Sequence, residues 1–329
     1  LRPHDLVATT GLGSLALSQH RFRAALRRGR EAHRLARGAA APYAVIGDAL
    51  VELGRYRAAF DAFDTLARLK PGLTAYARIA YGRELVGDTA GAIQAMHMAV
   101  DAATGAEPAA WTRWQLGKLY WATGRAERAA ELYRAALAVF PDYVYALDAL
   151  AQVEAGRGRL DEAIALETRA VDQVPLPQFV AALGDLYRAA GRPADAARQY
   201  RLIGAIERLL VANGVRTDLE TALFRADQGI RPRQTLALAR LAQRERPSID
   251  GDDVLAWALE RNGRCGEALP YSQRALRLGT KDALKFFHRG MIERCLGNRT
   301  AARGWLRRAL WLNPRFSLVW APVAREALR

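Results

Sequence analysis

A pattern of small residues returns along this chain about every 34 positions, and it limits what the chain can fold into. Within Leu116 to Asp142, "LGKLYWATGRAERAAELYRAALAVFPD", Gly117 is followed at seven residues by Gly124, at twelve by Ala129, at nineteen by Ala136 and at twenty-four by Pro141. The first slot recurs at Gly13, Gly47, Ala80, Gly117, Ala151, Gly184, Leu223, Ala256 and Gly290, at intervals of 33, 34, 37 or 39 residues. The second reads His20, Gly54, Gly87, Gly124, Gly158, Gly191, Ile230, Gly263 and Gly297, and the third is alanine in every repeat except the seventh, which has Thr235. Apolar residues between the slots recur at helical spacing, and nothing alternates like a strand for long. A period of this length belongs to helix-turn-helix arrays, in which one hairpin buries too little apolar surface to stand alone and stacking supplies the core.

Each slot has a mechanical cause. Glycine at the turn ends the first helix because a residue without Cβ enters the left-handed region cheaply. The small slot and its alanine partner let two antiparallel helices approach. Pro71, Pro141, Pro175, Pro247 and Pro314 stop the second helix of their units.

These residues resemble the tetratricopeptide repeat family over essentially the whole chain. The resemblance implies an all-α, right-handed α-solenoid of about nine repeats and is almost silent on activity, since the slots that carry it are those that pack the repeat; a non-enzymatic scaffold and the targeting module of an enzyme domain lying elsewhere both fit it. The family's usual aromatic near the start of the first helix is met by Tyr43, Tyr76 and Phe286 and replaced by Arg113 and Asp252. The block from "VPLPQFVAALGDLYRAAGRPADAARQY" to "LLVANGVRTDLETALF" further resembles uncharacterised actinobacterial multi-repeat proteins, some of them exported.

The frame also divides the chain. Residues 1–5 read as the tail of a truncated preceding repeat, 6–204 as repeats one to six, 205–215 as a seam closing a long helix, 216–314 as repeats seven to nine, and 315–329 as a capping helix. Extrapolated backwards, the frame places a helix-stopping proline on Pro3, so at least one earlier repeat is expected, and any targeting segment would lie upstream of Leu1. The compartment stays open.

Composition narrows the function classes. No apolar run approaches the roughly 20 residues of a membrane-crossing helix. The net charge of +15 sits at the two ends: residues 1–39 hold eight arginines against Asp5 and Glu31, and residues 281–329 hold eleven Lys or Arg against three acids. The run "RFRAALRRGREAHRLAR", Arg21 to Arg37, could touch nucleic acid or an anionic surface, or be a solvated helix back. No catalytic or metal-binding set emerges. "GLGS" at Gly11 lacks the strand a dinucleotide motif needs, His97 between Met96 and Met98 has no partner histidine nearby in sequence, and no cofactor is expected. Cys265 and Cys295 lie near the turns of adjacent repeats, where they could meet or stay as buried thiols.

Recognition is the better candidate. The resemblance puts first helices on a concave groove, and positions two, five, nine and twelve of each repeat on its surface. The fourth repeat presents Trp111, Trp114, Lys118 and Trp121 there; neighbouring repeats add Tyr81, Glu84, Tyr145, Asp148, Gln152 and Asp185. Three tryptophans on one stripe either form an amphipathic platform that anchors a partner or pack on each other under the 104–108 loop. The whole stripe carries nine acids, Asp48, Glu84, Asp148, Asp185, Glu220, Asp227, Asp250, Asp253 and Glu260, against Lys118, Arg188 and Arg294. Such a groove favours a peptide or protein segment of basic or mixed charge over an anionic chain.

Overall fold

Each repeat is a pair of α-helices. The computed structural model describes residues 5–329. The first pairs are α1 (Leu6–Ser18) and α2 (Phe22–Leu35), α3 (Ala41–Glu52) and α4 (Tyr56–Leu69), and α5 (Leu73–Leu85) and α6 (Thr89–Asp101). Next come α7 (Ala106–Ala122) and α8 (Ala126–Val139), α9 (Val144–Gly156) and α10 (Leu160–Gln173), and α11 (Pro177–Ala189) and the long α12 (Pro193–Ala212). The last pairs are α13 (Asp218–Asp227) and α14 (Pro232–Glu245), α15 (Ile249–Glu260) and α16 (Cys265–Ala275), and α17 (Ala283–Cys295) and α18 (Arg299–Leu312), followed by α19 (Trp320–Glu326). The chain is therefore an all-α helical-repeat protein, with no strand among the described residues. None of these helices is long and apolar enough to cross a membrane.

The turn slot behaves as its chemistry requires, with two informative exceptions. Gly124 turns the fourth hairpin with φ 74°. His20 takes the same left-handed region at φ 55° without being glycine, held by a hydrogen bond of 2.7 Å between its Nδ1 and the Arg216 carbonyl. In the seventh repeat the left-handed residues are Gly229 and Arg231, on either side of the expected Ile230.

The small slot has a different partner from the one its spacing suggested. A Cβ on Gly117 would lie 2.4 Å from the Tyr133 ring, one on Gly184 2.4 Å from Tyr200, and one on Gly47 2.3 Å from Phe63. The close approach is thus to the residue sixteen places on, and the alanines at twelve fill the space beside it. That position holds Phe63, Met96, Tyr133, Tyr200 and Leu306 in five repeats, whereas the fifth repeat has Glu167 there, fully buried.

The chain forms two compact units, each built from two stretches: Leu1–Ala99 with Leu210–Thr280, and Val100–Leu209 with Lys281–Arg329. In the first unit the two stretches satisfy each other's helix ends. Arg216 N–H donates to the Gln19 carbonyl just after α1, Ile249 N–H donates to Tyr56 Oη at 2.7 Å, and the Thr280 hydroxyl donates to the Leu85 carbonyl at the end of α5. Burial pushes the Tyr56 phenol up to about 12, against the pull of the Ile249 N–H. In the second unit the Asn313 amide donates to the Trp121 carbonyl at 2.8 Å. The last carbonyls of a helix have no partner within it; Thr280 supplies one at the end of α5, and Asn313 adds a second donor to the Trp121 carbonyl, which also accepts the Gly124 N–H. These side-chain contacts link residues 192 to 196 positions apart. Ile249 accordingly belongs to the same apolar core as Leu50, Tyr56, Phe63 and Leu85.

Neither cysteine is a free thiol. Both are disulfide-bonded and Cys295 is exposed, which corrects the reading of Cys265 and Cys295 as small buried thiols. Cys265 opens α16 and Cys295 ends α17, so each lies beside a turn rather than in a helix interior.

Candidate functional site

The aromatic stripe of the fourth repeat begins in local geometry. Gly105, with φ 88°, precedes α7, and the extra residues around it start this helix early enough to make it seventeen residues long. Trp111, Trp114, Lys118 and Trp121 then fall at steps of three, four and three, on one helix face.

The three tryptophans share a face but not an environment, and none stands free. Trp111 packs into a cluster with Ala110, Tyr143 and Ala146. Trp114 tilts against Tyr145 with ring centroids 5.0 Å apart and meets Tyr143 edge-on at 6.3 Å. The ammonium of Lys118 sits 4.8 Å over the Trp114 ring. Trp121 lies where the chain's own C-terminal segment arrives: beside the Asn313 contact, both the tip of its indole and the Arg315 side chain approach Gly156. Leu318 continues that cover against the apolar cluster of Ala151, Ala155 and Leu186. All three indoles are half-buried while Lys118 and Gln152 are exposed, so the fully open platform is corrected to a partly packed one. The aromatic packing on Tyr143 and Tyr145 is the cause.

Tyr145, Asp148 and Gln152 stand on α9 beside this stripe. The Gln152 amide donates to both Asp148 oxygens, at 2.9 and 3.1 Å. Asp185, on α11, is already engaged by Tyr200 Oη at 2.5 Å and Arg188 at 2.9 Å. Tyr81 and Glu84 belong to α5 in the other unit; Tyr81 is about one-third exposed and Glu84 half-buried.

The acidic stripe also needs correction, because many of its carboxylates serve the protein itself. Arg78 binds Asp48 through two hydrogen bonds of 2.6 and 2.9 Å. Glu220 receives Arg246, and Asp227 accepts the Trp257 indole N–H at 2.8 Å. Asp253 is buried together with nearly all of α15, which has no broad polar face left to offer. Asp148 differs: it forms no salt bridge among the described residues.

Sequence reasoning missed Glu167. It is fully buried on α10, neither carboxyl oxygen meets an N–H or O–H donor, and the group it faces is the Asp148 carboxyl. Burial, reinforced by the Asp148 charge, pushes the Glu167 carboxyl far above the usual range, and burial also raises Asp148 against the pull of Gln152, Glu167 and Lys118. The signal was present in the repeat: an acid where five other units carry a ring, a methionine or a leucine. Among the described residues no group of three or more His, Cys, Asp or Glu could hold a metal ion.

Comparison with known proteins bears on the fold. The tetratricopeptide repeat family model matches residues 115–176. No curated protein sequence matches the chain. Among solved structures, the human IFIT1 dimer with PPP-AAAA is similar at TM-score 0.57 and 15% identity, covering 94% of this chain and 73% of that one. PilF of Pseudomonas aeruginosa gives 0.49 at 12% identity, with 61% of this chain and 96% of that chain covered. Cut9 with Hcn1 gives 0.48 at 16%, covering 92% and 59%. Identities this low concern the fold alone.

Proposed function

We propose, from the tetratricopeptide repeat match over residues 115–176 and the helical-repeat fold, that this chain is a non-enzymatic scaffold holding a peptide or protein segment. The segment lies along the face formed by Trp111, Trp114, Lys118 and Trp121 with Tyr145, Asp148 and Gln152. One observation carries this reading: a cluster of aromatic side chains that is packed into its own unit yet remains half-accessible beside exposed polar side chains. Rigid, partly desolvated aromatics are the usual anchors of an interface.

Selection from a random twelve-residue peptide display library tests it. Trp114→Ala is expected to weaken the selected peptides by about 30-fold, the loss of one anchor worth roughly 2 kcal/mol, with the helical circular dichroism signal retained. Binders indifferent to both Trp114→Ala and Trp121→Ala would remove the aromatic face from the reading.

A second reading has its own observation. Arg27, Arg30 and Arg34 are exposed on one face of α2 and form no ion pair among the described residues, whereas Arg28 is bound by Glu31 at 2.8 Å. Such a row suits a polyanion; the IFIT1 structure with PPP-AAAA adds only its fold. Single-stranded RNA binding would then weaken with salt, each phosphate contact contributing a slope of about −0.7 in log K against log salt. Changing all three arginines to glutamine is expected to flatten that slope by about 2. A flat response in the unaltered protein disposes of this reading.

A further inference from the structure

We infer that Asp148, flanked by Gln152 and the rings of Trp114 and Tyr145, is a seat for a guanidinium group of the bound segment, and that Lys118 fills part of that seat in the free protein. The inference rests on the peptide-binding reading above and names the chemistry of its central contact.

The first support is the contrast among acids. Asp48 and Asp185 are ion-paired from within, while Asp148 is met by a neutral amide from one turn along its own helix and by the Glu167 carboxyl, with no salt bridge among the described residues. A carboxylate in that state keeps acceptor capacity for a bidentate partner. A second, independent observation lies behind it. Glu167 is wholly buried, has no donor for either oxygen and faces Asp148. A buried carboxyl set against a half-buried one is relieved either by a shared proton or by a cation. In the free protein the proton does this, which fits the raised Glu167 carboxyl; a bound cation would do the same from outside.

Lys118 shows that a positive charge is already accommodated here. Its ammonium lies over Trp114 and its charge acts on Asp148, yet among the described residues the ammonium makes one hydrogen bond, a long one of 3.4 Å to Gln115. Guanidinium suits the seat better, since it stacks flat on an indole while offering two parallel N–H groups to a carboxylate. The unit already holds such a segment in cis: Asn313 and Arg315 lie at the Trp121 end of the same face, with the Arg315 side chain against Gly156. An extended, arginine-bearing partner would extend that arrangement toward Asp148.

The test uses the full chain and two probes that differ in charge alone: acetyl-Gly-Leu-Arg-Leu-Gly-amide and the same peptide with citrulline for arginine. Titration is followed by tryptophan fluorescence at low salt. The arginine peptide is expected to bind at least about tenfold more tightly than the citrulline peptide, the low end for a charge-assisted pair. Asp148→Asn should abolish that difference, with both peptides near the citrulline affinity. Lys118→Met should tighten the arginine peptide about threefold by vacating the seat, as expected for removing a weak competing cation–π contact. Equal binding of the two peptides, or a difference that survives Asp148→Asn, overturns the guanidinium seat while leaving the aromatic face in place. Failure of both peptides to bind overturns the seat and the aromatic face together.

Discussion

Replacing Arg246 by alanine is expected to cost about 3 kcal/mol of folding stability, the lower end of the range for breaking one partner out of a buried ion pair. Arg246 follows α14 and reaches Glu52, 194 residues earlier at the end of α3, while a second nitrogen donates to Glu220 at 2.9 Å. Both Arg246 and Glu52 are less than one-fifth exposed. Glu52 closes a helix at its negative end, where a carboxylate is disfavoured without a cation. Burial pushes its carboxyl up and Arg246 pulls it back, so the variant would leave a buried charge with nothing to oppose it. The guanidinium also covers the Phe22 ring at 5.3 Å, a contact that alanine removes as well. The sign with pH is fixed by that raised carboxyl: once Arg246 is gone, folded Glu52 holds its proton more tightly than unfolded Glu52. The variant therefore loses stability as pH rises, and its deficit is smaller at pH 5 than at pH 8. Urea denaturation at the two values checks this, and Arg246→Met combined with Glu52→Gln should recover most of the loss. An unchanged midpoint for Arg246→Ala would mean that this network holds nothing together.

The existence of this network shows where the sequence stops being readable. Slots such as Gly117, Gly124 and Ala129 declare the hairpin because their constraints are local: a left-handed turn and a close helix approach leave a fixed spacing. Contacts such as Arg246 to Glu52 or Asn313 to Trp121 O join residues nearly six periods apart, and no local pattern encodes which turn a later junction will meet. The acidic stripe was misjudged for the same reason. Position within a repeat predicts which face a side chain takes, but Asp253 and Trp257 lie on a helix covered from more than one side. The aromatic stripe was legible as a face, since the spacing of Trp111, Trp114 and Trp121 is a property of one helix. Its coverage was not, because Tyr143, Tyr145 and the segment from Asn313 to Leu318 come from elsewhere. Glu167 falls between these cases: repeat alignment exposes it as an acid in a slot for rings, while its pairing with Asp148 needs the fold.

Glu167→Met is expected to stabilise the protein, and by more as pH rises. Methionine fits by precedent within the chain, because the third repeat sets Met96 sixteen residues after Ala80, as the fifth sets Glu167 after Ala151. A ring would fit less well: the other repeats place Phe63, Tyr133 and Tyr200 opposite glycines, and even a Cβ there meets the ring at 2.3 to 2.4 Å. Burial first, and then the Asp148 charge, keep folded Glu167 protonated well above the ordinary carboxylate range. Above about pH 5 the unfolded chain has released that proton, so folding must take one up and stability falls by up to about 1.4 kcal/mol per pH unit until the folded carboxyl ionises. Methionine removes this penalty, although Asp148 loses a hydrogen bond and is left with Gln152 and Lys118 to hold its charge. The gain should be slight at pH 4.5 and up to about 4 kcal/mol at pH 8, the upper end of the range found when buried ionisable groups give way to apolar ones. Urea denaturation across that interval measures it, and a gain equal at both ends would show that packing alone is responsible. If the stabilised variant also ceases to distinguish arginine from citrulline, the two results belong together: an acid that weakens the hairpin at neutral pH is then retained for the hydrogen bond it gives Asp148.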